Sequence, residues 1–358
     1  MNEKSRNFLI IQTAYIGDVI LTTHLAELIK SKIPSNRVNF LVIPSTSELL
    51  KNNPYVDNII VYDKRGRDKG LTSLLKIISK LRKNRYHIAV IPHRSFRSAL
   101  IACLSGIPVK IGFSNSAGFM LLNRRIKYTG TIHEFRRNSG LLEVLGYREN
   151  SVLPKLFPGR KDRRKIDSIF HKYRIKQDSI VISIAPGSKW NTKRWPEERF
   201  HGLIYRLILN MNAFIILIGG EEDRALCRKI ALSSGRLLNR HPQFKNNRLI
   251  NMAGKLSLLQ SSEVIRRSRL LISNDSAALH MASAMRTKAV AIFGPTIPDF
   301  GFYPIEKGSR IIEKDLPCRP CGIHGGTECP VKTFDCMRGI EVKDVLEAAV
   351  EILKSGNY

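Results

Sequence analysis

The sequence predicts an α/β protein of two doubly wound domains, each a parallel sheet covered by helices. Short apolar runs alternate with helix-length amphipathic segments through the first half, and the same scheme restarts in the second. A chain of 358 residues also exceeds what one core usually organises.

In order, the expected strands of the first half are residues 8–12, 38–43, 58–62, 87–91 and 109–112. Those of the second half are 180–185, 214–218, 248–251, 270–272 and 289–293, each separated by helical patterning. A polar, basic stretch at 154–177, with prolines at 154 and 158, holds the expected linker and then a helix. The amphipathic segment 342–353 reads as a closing helix. The expected division is 1–160, 161–340 and a terminal helix at 341–358.

Composition narrows the function classes. Apolar residues make up 43% of the chain, yet no stretch approaches the roughly 18 to 20 residues that span a bilayer. The opening MNEKSRNFLIIQ lacks the long apolar core and small-residue cleavage site of a signal peptide, so a cytoplasmic location is expected. The net charge of +29 is regional: residues 51–200 hold 32 Lys and Arg against 11 Asp and Glu, whereas residues 301–358 hold 8 against 9. Such basic surface attracts nucleic acid, anionic membrane or a polyanionic substrate. No zinc-finger helix, aromatic RNP pattern or basic-region heptad is present, which counts against a nucleic-acid module. The absence of G-x-G-x-x-G and Walker A sequences counts against a nicotinamide enzyme and a P-loop NTPase.

The chemistry is expected where strands end in polar turns. LISNDSAALHMASAMRTKAVAIFGPTIPDF, from 271, reads as strand, turn, helix, strand and loop, and its turn lies where helix N-terminal N–H groups bind anions. Asp275 or Ser276 either caps that helix or faces a ligand. The first strand runs into Gly17-Asp18, and Asp18 is either a helix cap or a general base. Strand 180–185 ends at Pro186-Gly187-Ser188, followed by Lys189, Lys193 and Arg194, small residues beside cations that suit a pyrophosphate. Strand 214–218 ends in Gly219-Gly220-Glu221-Glu222-Asp223, where an acid accepts ribose hydroxyls or complements the helix dipole. His93, Arg94, Ser95 and Arg97 follow strand 87–91. Cations are disfavoured at a helix N-terminus, which points to contact with an anionic ligand.

Cys103 and Cys227 read as core residues. Cys318, Cys321, Cys329 and Cys336 form C-x2-C-x7-C-x6-C, which in a reducing compartment reads as a structural four-thiolate site for zinc or iron rather than two disulfides, with unligated thiols as the alternative.

Four motifs in order, the Gly17-Asp18 turn, RYHIAVIPHRSFRSALIACLSGIPVKIGF, PGSKWNTKRWP and NDSAALHMASAM with AIFGPTIPDF, resemble the ADP-heptose:lipopolysaccharide heptosyltransferases of glycosyltransferase family nine. The likeness is greater to heptosyltransferase II than to heptosyltransferase I. It implies a GT-B fold, two Rossmann-like domains facing across a cleft, with acceptor on the first and ADP-heptose on the second. It also implies an inverting transfer that requires no metal cofactor. By this resemblance Asp18 is the general base and Lys193 stabilises the leaving diphosphate. Ser188, Lys189, Glu221, Asp275, Ser276, Ala277, Ala278 and His280 bind the donor, although Ala277 stands where the family usually has glycine. His280 reads equally well as a packed helical histidine. His93, Arg94, Ser95 and Arg97 would meet the anionic inner core, whose Kdo carboxylates and lipid A phosphates suit arginine forks. The basic excess would also hold the enzyme at the anionic inner face of the inner membrane. The competing expectations are a GT-B relative using another nucleotide sugar and a basic nucleic-acid-binding protein.

Overall fold

In the computed structural model, which describes residues 5–64, 66–147, 152–240 and 247–355, the chain forms two compact units, 1–157 and 158–358. In the first unit six strands, β1 (Asn7–Ile11), β2 (Arg37–Val42), β3 (Asn58–Val61), β4 (Ile88–Ile91), β5 (Val109–Phe113) and β6 (Arg124–Ile126), pair in the order β3-β2-β1-β4-β5-β6. In the second, β7 (Val181–Ala185), β8 (Phe214–Leu217), β9 (Leu249–Asn251), β10 (Leu270–Asn274), β11 (Ala289–Ile292) and β12 (Arg310–Ile312) pair as β12-β11-β10-β7-β8-β9. Every pairing is parallel. Continuous apolar runs rather than alternating ones account for this. Phe8 to Ile11 of β1 and Leu270 to Ile272 of β10 are wholly buried, as strands covered on both faces must be.

The winding is the same in both units, and it places the chemistry. Strand order reverses between β1 and β4 in one and between β7 and β10 in the other, which opens a crevice outside the carboxyl ends of those strands.

Two features differ from expectation. The edge strands β6 and β12 were absent from it, because Arg124-Arg125-Ile126 and Arg310-Ile311-Ile312 are short, cationic and at most half-buried; pairing with β5 and β11 forms them. A single helix from Val19 is expected, but the chain forms two, Ile16–Ile20 and His24–Lys32. Between them the Thr22 and Thr23 hydroxyls donate to the carbonyls of Val19 and Ile20, each at 2.8 Å, and compete with the helical ladder. Gly17 and Asp18 therefore sit inside the first helical turn. The helix expected after the prolines of 154–177 forms at Arg160–Lys172 and packs on Leu258–Arg267, where Arg267 Nη1 meets Asp167 Oδ1 at 2.6 Å.

The helix Val342–Lys354 inserts Val345, Ala348, Ala349 and Ile352 into the core that Phe200, Leu203 and Ile204 build under β7 and β8. Residues 356–358 of the expected closing segment lie outside the described residues.

Candidate functional site

At the β7/β10 crevice one buried asparagine ties the turns together. Asn274, the last residue of β10, donates from Nδ2 to the Pro186 carbonyl at 2.7 Å and accepts from the Trp195 N–H at 3.1 Å. The Pro186 turn, the Lys193-Arg194-Trp195 segment and the β10 turn are thereby fixed to one another. Lys193 is buried at the end of the short helix Asn191–Lys193, with Nζ 2.5 Å from Asp275 Oδ2. The same oxygen accepts from Thr296 Oγ1 at 2.7 Å. Asp275 thus holds Lys193 and the Gly294-Pro295-Thr296 loop, a positioning task beside the donor contact expected of it.

Ser276 is the N-cap of helix Ala277–Ala284, and its Oγ accepts from the Ala278 N–H at 3.3 Å. Ala277 and Ala278 open that helix half-buried, and Ala277 has no positive φ, so alanine is accommodated where a glycine was the alternative. His280 is buried, edge-on to Phe302 at 6.1 Å, with Nδ1 unpartnered. Burial pushes its pKa down to about 4, opposed by the Asp275 carboxylate and reinforced by Lys193, so it is neutral at pH 7. His280 packs in the helix, and it lies within the field of the Lys193–Asp275 pair.

Ser188 is buried and its carbonyl accepts from Arg194 Nε at 2.8 Å, while Lys189 Nζ lies 5.5 Å from the Trp190 ring centre. Glu221 is exposed and bonds Arg224 Nη1 at 2.6 Å. Asp223, which the sequence reading passed over, is more deeply placed. It accepts from the Gly220 N–H at 3.0 Å, and its carboxylate fills the space that a side chain at Gly187 or Gly219 would need. Burial raises its pKa. These two glycines are required by that close approach.

At the β1/β4 crevice Asp18 and Arg94 come within each other's field. Asp18 is half-buried and is the third residue of its helix, whose N-cap is Tyr15; its Oδ2 accepts from the Tyr15 N–H at 3.1 Å, the carboxylate's half of a capping box. Burial lifts its pKa from 3.8 to about 6; the Tyr15 N–H lowers it, Glu134 raises it and Arg94 lowers it. Capping and base chemistry are compatible in this carboxylate, because a pKa near 6 leaves it largely ionised yet basic at pH 7.

Arg94 is held over the Tyr128 ring at 4.4 Å, and Arg137 lies over the same ring at 4.7 Å. The Tyr128 hydroxyl donates to Glu134 Oε2 at 2.8 Å, and Arg137 Nη1 donates to that oxygen at 2.8 Å. Arg137 also donates to the carbonyls of Thr129 and Gly130, both at 2.6 Å. Tyr128, Glu134 and Arg137 were not foreseen; the one signal for them is Glu134, the first carboxylate after a long acid-free basic stretch. His93 Nδ1 lies 3.1 Å from Thr13 Oγ1 and 3.2 Å from Ser98 Oγ. Ser95 caps helix Phe96–Leu104 by position, and Arg97 stands exposed in its first turn.

The cysteine segment packs on the loops at the β7/β10 crevice. The Cys321 N–H donates to the Pro295 carbonyl at 2.9 Å, the buried Arg319 donates to the carbonyls of Gly294 and Thr296, and Thr192 Oγ1 exchanges hydrogen bonds with Gly326 at 2.8 and 2.9 Å. Cys336 is buried, Cys318 and Cys329 half-buried and Cys321 exposed, all as free thiols. Burial and the neighbouring Cys321, Cys329 and Cys318 push the Cys336 thiol up to about 11. Among the described residues no three His, Cys, Asp or Glu side chains are gathered as a metal-binding group, while the four thiols lie near enough to act on one another's charge.

The sequence profile described as Glycosyltransferase family 9 (heptosyltransferase) matches residues 74–330, which includes the whole β7/β10 crevice and excludes Asp18. A lipooligosaccharide heptosyltransferase 2 of Haemophilus ducreyi is 26% identical over 314 residues, 85% of this chain and 87% of that protein. The lipopolysaccharide heptosyltransferase 2 of Escherichia coli is 23% identical over 85% of this chain and 87% of its own. Among solved structures, a family 9 glycosyl transferase from Veillonella parvula superposes with a TM-score of 0.83 at 20% identity, covering 99% of both chains. The E. coli ADP-heptose LPS heptosyltransferase II gives 0.76 at 22% identity over 98% of this chain and 99% of that one. At these identities the solved structures establish the fold, which is GT-B.

Proposed function

The chain belongs to glycosyltransferase family 9, and from that premise we propose that it transfers heptose from ADP-heptose to the inner core of lipopolysaccharide, as a heptosyltransferase of the second type. The observation that carries this reading is the buried Lys193–Asp275–Thr296 cluster at the β7/β10 switch point, beside the N-terminus of helix Ala277–Ala284. A fixed ammonium group next to the positive end of a helix meets the charge that grows on a departing diphosphate.

In the proposed step Asp18 takes the proton of an acceptor hydroxyl. The oxygen attacks the anomeric carbon from the face opposite ADP, and the carbon–phosphate oxygen bond breaks with its electron pair on the diphosphate, inverting the centre. Ser188, Lys189 and Lys193 hold the diphosphate and Glu221 the ribose, while Arg94 and Arg97 meet the anionic acceptor. Lys193 and the helix N–H groups supply the charge stabilisation that a divalent ion gives other transferases, so catalysis is proposed to need no metal. Any structural zinc or iron would be held by Cys318, Cys321, Cys329 and Cys336. No helix among the described residues is long and apolar enough to cross a membrane. We place the enzyme in the cytoplasm, peripheral to the anionic inner face of the inner membrane.

Incubation of the purified protein with ADP-heptose and truncated lipopolysaccharide is expected to add one heptose by mass, with ADP and not UDP inhibiting. An unchanged acceptor mass, or transfer from a UDP-sugar instead, overturns the donor assignment.

A further inference from the structure

The first unit carries an apolar, cationic face that the chemistry above does not use. Phe96, at the first turn of helix Phe96–Leu104, is 53% exposed; Phe119 and Met120, on the crossover from β5 to β6, are 40% and 77% exposed. These residues form one surface. Gly118 packs so closely on Phe96 and Ala99 that a side chain there would meet the Phe96 backbone at 3.2 Å, and the Ala117 N–H donates to the Arg94 carbonyl at 3.1 Å. Arg125 lies over the Phe119 ring at 5.4 Å, and Lys127, two residues on and so on the same side of the chain, is exposed. On the helix packed beside Phe96–Leu104, Leu71 and Leu75 are exposed as well, at 71% and 54%.

Charge decides what covers this face. Between Asp68 and Glu134 the chain has no carboxylate and 12 Lys and Arg residues. A protein partner would ordinarily place some acids opposite such a patch and find some here; a surface of one sign, with two phenyl rings and a thioether at its centre, suits a bilayer of anionic lipid. Phosphate headgroups pair with Arg125 and Lys127 while the rings and Met120 enter the acyl boundary, the two signals that stable peripheral attachment requires. We propose that Phe96, Phe119 and Met120, with Arg125 and Lys127, form the face by which this chain docks on an anionic membrane. The proposal rests on the reading of the acceptor as lipid-anchored and identifies the residues of attachment. Arg94 lies two positions from Phe96 and within the field of Asp18, so the docked face is next to the proposed acceptor site.

The test is co-sedimentation of the full chain with vesicles of phosphatidylcholine alone or mixed with phosphatidylglycerol. The wild type is expected to bind the mixed vesicles and not the neutral ones. A Phe96→Ser, Phe119→Ser, Met120→Ser triple variant, checked for native circular dichroism, is expected to bind at least about tenfold more weakly. The same variant should keep its KM for a water-soluble core oligosaccharide and show a raised KM for acceptor embedded in vesicles. Undiminished vesicle binding by the triple variant overturns the assignment, as does a wild type that binds neither vesicle. A concentration-dependent dimer lost in the triple variant, seen by light scattering, assigns the face to a second copy and overturns it too. Vesicle binding that behaves as expected in a protein that transfers no heptose leaves the docking face standing and removes the functional reading instead.

Discussion

Asp18 shows how one carboxylate serves two ends. Its pKa of about 6 means the folded chain binds this proton more tightly than the unfolded chain does, so this group costs stability as pH rises from about 4 through 6. Asp18→Asn escapes that cost while its amide oxygen still accepts from Tyr15. We expect the variant to fold, to gain up to about 3 kcal/mol at pH 7 by thermal denaturation, and to lose transfer by about 10²- to 10⁴-fold. Activity within a factor of about ten of wild type would leave Asp18 as a cap alone. For the wild type, kcat/KM should rise with pH through about 6 as the base ionises. Because Glu134 raises the Asp18 pKa and also neutralises Arg137, Glu134→Gln should move that limb to lower pH. It should also destabilise the fold by about 3 kcal/mol, since it leaves Arg137 buried without its charge partner. A pH profile that does not move would separate Glu134 from the chemistry.

Among the elements, the turns matter more than the strands. Asn274 joins the Pro186 turn to the Trp195 N–H, and no backbone pairing does the same. Asn274→Ala leaves a buried carbonyl and a buried N–H unsatisfied, at a cost of about 1 to 3 kcal/mol. Because the Lys193 segment is then free to shift, turnover should fall more than stability, at least about tenfold. An unchanged kcat in a destabilised variant would make Asn274 a structural staple only. In the sequence this asparagine looked like part of a tight turn, and its service to a segment 79 positions away was not legible. The cysteine segment is similar. Its spacing marks the four thiols, but its contacts with the loops around Lys193 and Thr296 were not legible.

For the whole molecule the charge of +29 is the governing quantity. If the basic first unit meets phosphates and carboxylates of the acceptor, KM for lipopolysaccharide should rise steeply with salt while KM for ADP-heptose changes little, because buried Lys193 is screened less than exposed Arg97. Equal salt sensitivity of the two would count against an acceptor site on the basic unit. EDTA in the same assay should leave the initial rate unchanged; prompt loss restored by Mg²⁺ would overturn the metal-free step.

Residue pattern alone determined the α/β class, the restart of the winding and the central strands, because an interior strand of a covered parallel sheet must be continuously apolar wherever it lies. It also marked Asp18, Lys193, Asp275 and the helix caps, since strand-ending turns announce themselves by polarity. The edge strands β6 and β12 escaped, because an edge needs no apolar run and exists only by pairing with a neighbour. Tyr128, Glu134 and Arg137 escaped for a related reason: they lie far along the chain from Asp18, and folding brings Glu134 into its field with Tyr128 and Arg137 bonded to that carboxylate. The sequence offered two readings of Asp18, cap or base. Only the tertiary structure decided that it caps Tyr15 while burial and Glu134 raise its pKa, because a pKa depends on what surrounds a group in space.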